Sequence, residues 1–213
     1  MVNLLLLIEN LSPYSKSNID QGNTPNDIYR LSNCIKEAFC LSYSIRKENN
    51  LFIFLRNKQI LIKFEGNKLK YLGPDERSQT LLLEKALNRL NKSNFHNYDR
   101  WFQSTPGIFV RKFRSDNFFI DYISSIINDN FSFIEVDPRK EFKDLNLNID
   151  NLRFLEETFF IFPLFKISSF LKKIIKKLKD MKSINMISLF KIKDVENKIL
   201  YINFLRDQQE NIN

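Results

Sequence analysis

The chain has 213 residues, 43% of them hydrophobic, with 33 Lys and Arg against 25 Asp and Glu for a formal charge of +8. A single histidine leaves almost no raw material for a His-based zinc site or a Ser-His-Asp triad. Cys34 and Cys40, six apart, have neither disulfide-framework nor metal-ligand spacing, which points to a reducing cytosol. One compact domain over 1–213 is the expected organisation, with anionic partners favoured by the charge and few glycines for a nucleotide-binding protein.

Val2 to Ile8 is a near-continuous apolar run, the pattern of a buried parallel strand. It is too short and too uncharged in front for a signal peptide. A polar loop from Ser12 to Asn26 follows, long enough to be functional. Thr24-Pro25-Asn26-Asp27 reads as a helix start, with Thr24 as N-cap and Asp27 reaching back. Ile28, Leu31, Ile35 and Phe39 form that helix's buried face. Leu51 to Leu55 is a strand, and Arg56-Asn57-Lys58 a turn. Ile60, Ile62 and Phe64 make another strand, and Gly66 and Asn67 suit a turn. Leu69 and Tyr71 alternate with Lys68 and Lys70, predicting an antiparallel return strand, so the pair spans about 59–72. Gly73-Pro74 ends it, and Pro74 fits the first turn of a helix where Asp75 and Glu76 meet the positive end of the dipole. Leu82, Ala86 and Leu90, with Leu83 and Leu87 beside them, face that helix's core.

A polar connection then runs through His96 and Trp101 to Thr105-Pro106-Gly107. Ile108 to Val110 is a short strand, and Ser115 caps a helix with Phe119, Tyr122, Ile123 and Ile126 inward. Phe131 to Val136 is a strand, Asp144 to Glu157 holds a short helix, and Thr158 to Phe162 is a strand. Ile167 to Leu178 is a helix facing inward with Ile167, Phe170, Ile174 and Leu178. Ile184 to Phe190 is the last strand and Val195 to Arg206 the last helix. The alternation argues an α/β fold with a mainly parallel sheet flanked by helices. The apolar run from Phe159 to Leu171 is broken by Pro163 and Lys166 and falls short of a membrane span, so a soluble, cytoplasmic protein is expected.

Three features carry candidate chemistry. Asp75, Glu76 and Arg77 sit together at a turn, which reads either as a capped helix start with a local Glu-Arg pair or as a functional cluster. Asp27 is either a capping acid or a general base. Lys172, Lys173, Lys176, Lys177 and Lys179 form one face of a helix opposite Phe170, Ile174 and Leu178. That face is a solvated surface, a set of phosphate contacts to RNA, or more weakly a membrane surface. Trp101 and Tyr71 are candidates for packing or for stacking on a base.

Phe64-Glu65-Gly66-Asn67-Lys68-Leu69-Lys70-Tyr71-Leu72-Gly73, followed by Pro74-Asp75-Glu76-Arg77-Ser78 and a helix through Ala86-Leu87, closely resembles the archaeal tRNA pseudouridine N1-methyltransferase family of the SPOUT class. Cys40-Leu41-Ser42-Tyr43-Ser44-Ile45-Arg46 is similar to that family's Leu-Ser-His-Gly-Ile-Arg stretch, and Thr105-Pro106-Gly107-Ile108-Phe109-Val110 to the start of its knotted half. The resemblance covers roughly 4–110 by motif and the remainder by element order. It implies a trefoil knot built from about 105–213, a homodimer, and S-adenosylmethionine as cofactor, while the single histidine and the cysteine spacing lead to the expectation of no metal. The implied reaction is methyl transfer to pseudouridine N1 in the T-loop of tRNA. On the resemblance, Phe133, Phe162, Pro163, Ser188, Leu189, Phe190 and Lys191 hold the cofactor. Asp27 and Arg77 are catalytic and Arg46, Asp75 and Glu76 meet the RNA, to which the basic helix face adds Lys172, Lys173 and Lys176.

The departures fall on the cofactor side. The family's Leu-Gly-Asp-His loop is Phe162-Pro163-Leu164-Phe165 here, and its Ser-Leu-Gly-Pro is Ser188-Leu189-Phe190-Lys191. A Glu-x-Gly becomes Glu135-Val136-Asp137, and a Gly-x-Gly-Arg-x-Asp becomes Gly22-Asn23-Thr24-Pro25-Asn26-Asp27. Pro163 has no N–H to offer, and Phe190 puts a large ring where the glycine lets backbone approach. Two functions follow: the methyltransferase, or a member that has lost the cofactor and persists as an RNA- or partner-binding protein.

Overall fold

A computed structural model describes residues 1–91, 98–127, 132–135, 154, 157–165, 169–181 and 184–210. In chain order these form β1 (Val2–Ile8), α1 (Lys16–Asp20), α2 (Asn26–Phe39), β2 (Asn49–Leu55), β3 (Ile60–Glu65), α3 (Glu76–Asn91), β4 (Trp101–Thr105), β5 (Ile108–Lys112), α4 (Asp116–Ile126), β6 (Ser132–Glu135), β7 (Thr158–Pro163), α5 (Ser169–Met181), β8 (Asn185–Ile187) and α6 (Val195–Glu210). The strands make one sheet in the order β4-β5-β3-β2-β1-β7-β6-β8. From β2 to β8 every pairing is parallel, whereas β3, β5 and β4 extend the sheet antiparallel.

All seven residues of β1 are buried, because helices cover both of its faces. Leu4, Leu6 and Ile8 meet Ile28, Leu31, Ile35 and Phe39 of α2, Leu82, Leu83 and Ala86 of α3, and Ile199 and Ile202 of α6. Leu5 and Leu7 enter the opposite core with Phe119, Ile120 and Ile123 of α4 and Ile174 and Leu178 of α5. There Phe54 stacks on Phe119 with ring centroids 3.5 Å apart.

The return strand expected at 69–71 is absent. After β3 the chain makes a 3-10 turn over Gly66–Lys68, and β5 takes the place beside β3. Two glycines enforce this. A Cβ on Gly66 would lie 2.5 Å from the carbonyl oxygens of Arg46 and Asn49, and one on Gly107 would lie 2.5 Å from the Leu69 nitrogen. The Glu65 N–H also donates to the Gly107 carbonyl at 2.8 Å, so the two turns are locked together. Leu69 packs on the core, while Tyr71 is 68% exposed. The connection expected through Trp101 is instead strand β4, whose pairing with β5 the local residue pattern does not reveal.

The loop expected over Ser12 to Asn26 contains the short helix α1. The Tyr14 hydroxyl, buried beside it, donates to the Thr80 carbonyl of α3 at 2.9 Å. α2 begins one residue later than expected: Pro25 is its N-cap, and no side chain caps it. Pro74 likewise precedes α3 rather than opening it. β8 ends at Ile187, because the next residues turn, with the Ile192 N–H donating to the Leu189 carbonyl at 2.9 Å. The short helix expected at 144–157 falls almost wholly outside the described residues. So do His96, Phe131, Val136, Asp137, Lys166, Ile167 and the side chains of Leu90, Phe170 and Lys179.

Two stability measurements check this arrangement. Gly22 and Gly107 both have φ in the left-handed region, but only Gly107 is crowded. Gly22→Ala should cost about 1 kcal/mol, the backbone term alone. Gly107→Ala should cost about 2 kcal/mol or more, because the clash adds to it. Urea midpoints at constant m-value decide it, and equal shifts would contradict the crowding. Burial, then the nearby Glu84 and Asp27 carboxylates, raise the Tyr14 hydroxyl above its ordinary pKa of 10.0. Its contribution is therefore fully present below about pH 10 and is lost as the pH climbs beyond, where only the unfolded chain ionises. Tyr14→Phe should lose about 1 kcal/mol at neutral pH and show a shallower alkaline decline than the wild type. Parallel declines would contradict the burial of that hydroxyl.

Candidate functional site

In α/β sheets the C-terminal ends of parallel strands form the usual site. Here β1, β7, β6 and β8 are consecutive in the sheet, so Ile8, Pro163, Glu135 and Ile187 end along one edge. Phe162 and Pro163 are buried at the end of β7, and the Leu164 N–H already donates to the Leu7 carbonyl at 2.9 Å. This loop thus has no N–H at Pro163 and a committed one at Leu164. Phe165 follows with a φ of 70° and its ring exposed.

The loop after β8 has a different character. Leu189 is buried, Phe190 is 45% exposed, and Lys191 is exposed. The Ser188 Oγ is buried with no hydrogen-bond partner, and so is the Glu196 Oε2 at the start of α6. Arg30 of α2 joins the two loops. Its guanidinium lies 5.6 Å from the centroid of the Phe165 ring, 3.0 Å from Asp194 and 3.7 Å from Glu196. Between them Glu135, at the end of β6, forms a buried ion pair with Lys198 of α6. Phe133 does not reach this edge: it is buried and stacked on Phe160 at 5.3 Å. Arg30, Asp194, Glu196 and Lys198 escape sequence reasoning, as does the pairing of Glu135, because their partners lie far away along the chain. Arg30 and Asp194 are separated by 164 positions.

Asp27 and Arg77 do not pair with each other. Asp27 sits in the first turn of α2 and accepts the Ser12 N–H at 2.6 Å and the Ile28 N–H at 3.0 Å. It makes no capping box with Thr24, since Thr24 lies outside the helix. Arg77 donates to Asp20 of α1 through Nε at 3.1 Å and Nη2 at 2.9 Å, in place of the local pair with Glu76. Together with Tyr14, these two residues fasten the 12–20 segment across the tops of α2 and α3. Asp75 caps α3 by accepting the Ser78 N–H at 2.8 Å, and the Ser78 Oγ accepts the Gly73 N–H at 2.8 Å. Glu76 lies in the first turn beside it.

Arg46 is committed to a bidentate pair with Asp207 of α6, at 2.6 and 2.7 Å. Lys172, Lys173 and Lys176 are exposed on α5, opposite the buried Ile174 and Leu178. Trp101 is half-buried and meets the Tyr122 ring edge-on at 6.0 Å, which is packing. Cys34 and Cys40 are both free thiols, and burial pushes each upward in pKa. Among the described residues no three His, Cys, Asp or Glu side chains are grouped to hold a metal ion, and no helix is long and apolar enough to cross a membrane.

Residues 22–123 match the family described as "Putative SAM-dependent RNA methyltransferase". The chain is 35% identical over 104 residues to the tRNA (pseudouridine(54)-N(1))-methyltransferase of Methanocaldococcus jannaschii, covering 46% of this chain and 51% of that protein. It is 30% identical over 127 residues to the protein of the same name from Methanocella arvoryzae, covering 58% and 59%. The corresponding protein of Methanosarcina acetivorans is 36% identical over 84 residues, covering 38% and 37%. The match thus spans between about a third and three fifths of these relatives. The family match runs from α2 into α4 and stops short of β6, β7 and β8, so it speaks for the scaffold around Pro74–Ser78 and not for the loops after β7 and β8. Over residues 22–123 the chain is similar to the family described as a putative SAM-dependent RNA methyltransferase, and over part of their length to proteins named tRNA (pseudouridine(54)-N(1))-methyltransferase.

Proposed function

We propose that the protein is an S-adenosylmethionine-dependent RNA methyltransferase that methylates N1 of pseudouridine in the T-loop of tRNA. The observation that carries this reading is the match of residues 22–123 to the family, which includes the capped Pro74–Ser78 turn. We further propose one domain over 1–213 with a SPOUT-type trefoil knot formed from about 105 onward, acting as a cytoplasmic homodimer.

The cofactor fits the edge formed by Phe162, Pro163 and Ser188–Lys191. Ser188 Oγ is buried there without a hydrogen-bond partner, and a polar ligand would satisfy it, whereas Glu196 Oε2 already faces the Arg30 guanidinium at 3.7 Å. When bound, the cofactor supplies a methyl group activated by its sulfonium charge. With the backbone N–H groups of Pro163 and Leu164 absent or committed, side chains and carbonyls of this edge do the holding, and the Phe190 ring offers a flat apolar wall. Methylation forms an N1–carbon bond, and the N1 proton must leave; Asp27 is the acceptor we assign. Arg77, 59% exposed at its side chain, balances charge on the uracil. Asp75 and Glu76 at the start of α3 and the α5 lysines, on opposite faces of the sheet, are the RNA contacts we assign. Arg46 acts through its clasp on Asp207 rather than by free contact.

Isothermal titration with S-adenosylmethionine should give micromolar binding that Ser188→Ala weakens. A dissociation constant no tighter than millimolar would leave an RNA-binding protein without the cofactor, the reading that the proline at 163 favours. Transfer of labelled methyl to a T-arm hairpin containing pseudouridine should be slowed about 100-fold or more by Asp27→Asn. Transfer at the wild-type rate would remove Asp27 as the base. Light scattering showing a monomer would overturn the dimer.

A further inference from the structure

On the α4–α5 side of the sheet, where β5 ends, two rings are exposed beside a run of cations. Tyr98 is 36% exposed and Phe118 is 47% exposed. Arg114 lies between them, its guanidinium 6.0 Å from the Tyr98 centroid and 5.8 Å from that of Phe118, with its side chain 63% exposed. The Lys112 Nζ is 5.6 Å from the Tyr98 centroid. Directly after Arg114, the residues Ser115, Asp116 and Asn117 form one wall of an open cleft of about 200 Å³, and Lys173 and Lys177 form the other. The Lys177 Nζ donates to the Asn117 Oδ1 at 2.7 Å across the cleft.

The acids nearby do not cancel this charge. Asp99 is 3.5 Å from the Arg114 Nε, and Asp116 is engaged by Gln59 and lies 3.7 Å from Arg56. Asp121 is exposed one turn further along α4. Against them stand Lys112, Arg114, Lys173 and Lys177, with Lys172 and Lys176 next along α5.

We infer that this surface binds a single-stranded RNA segment, with bases stacked on Phe118 and Tyr98 and a backbone phosphate in the cleft between Lys173 and Lys177. Interleaved rings and cations on a solvent-facing surface are how proteins track single strands, because every base has a π-face and every nucleotide a charge. An acidic peptide would use the lysines but has no need of exposed rings. The inference rests on the RNA side of the proposed function and not on methyl transfer.

Fluorescence anisotropy with a labelled oligouridylate tests it on the full chain. Phe118→Ala, at an exposed position, should weaken binding about tenfold. Lys173→Gln with Lys177→Gln should lower the slope of log K against log salt by about 0.7 for each phosphate that is no longer neutralised. Lys85→Gln, on the exposed face of α3, should match the wild type in both. Wild-type affinity in Phe118→Ala with weakening only in the lysine pair would mean a polyanion surface and overturn the inference, as would stronger binding to a duplex of equal length. Failure to bind the oligouridylate also overturns it. Failure of methyl transfer with the anisotropy results intact overturns only the enzymatic reading.

Discussion

β1 carries the structure. Its seven residues are buried, its backbone is paired in parallel on both sides, and its side chains alternate between the two cores. Each fully buried leucine there contributes about 1.5–3 kcal/mol relative to exposure. No other strand is flanked by β2 and β7 at once, so the order of the whole sheet depends on it. The candidate cofactor edge depends on it too. The Leu7 carbonyl takes the N–H of Leu164 and fixes where the β7 loop begins, and the Glu9 carbonyl takes that of Asn57.

The second constraint is the joint between α2, the start of β2 and α6. The Asn49 side chain donates to the Ala38 carbonyl at 2.7 Å and to Asn203 at 3.0 Å, and accepts from Arg206 at 3.0 Å. Asn203 in turn donates to the Glu37 carbonyl at 2.7 Å. These groups are buried, so each is costly to leave unmatched, and the network admits one placement of α6. Arg46–Asp207 closes the same joint nearer the surface. With α6 held, Asp194, Glu196 and Lys198 are delivered to Arg30 and Glu135. The C-terminal helix therefore builds the strand-end edge that the loops alone would leave open. An RNA role for the motif flank ending at Arg46 is narrowed accordingly, because its guanidinium is already used.

The Pro74–Ser78 turn illustrates how one motif serves two levels. Locally, Asp75 and the Ser78 hydroxyl satisfy backbone N–H groups where the chain enters α3. At longer range, Arg77 reaches Asp20 and ties down the segment that follows β1. The exposed pair itself is worth little in stability. Its effect is positional, since it sets where the β1–α2 connection lies over the strand ends.

By itself the amino-acid sequence determined the elements whose signal is periodic: the apolar run of β1, the inward faces of α2, α3 and α4, the buried pattern of β7, and the family tag at Pro74–Ser78. Those features are local, because helix and strand periods repeat within a few residues and a motif needs only its neighbours. Tertiary structure alone decided that β5 rather than 69–71 pairs with β3, that Trp101–Thr105 is a strand, and that Asp20, Asp194 and Asp207 partner Arg77, Arg30 and Arg46. The three arginine–aspartate choices join residues 57, 164 and 161 positions apart, in the order just given. Several arginines and acids could satisfy the same chemistry, and packing around β1 selects which of them meet.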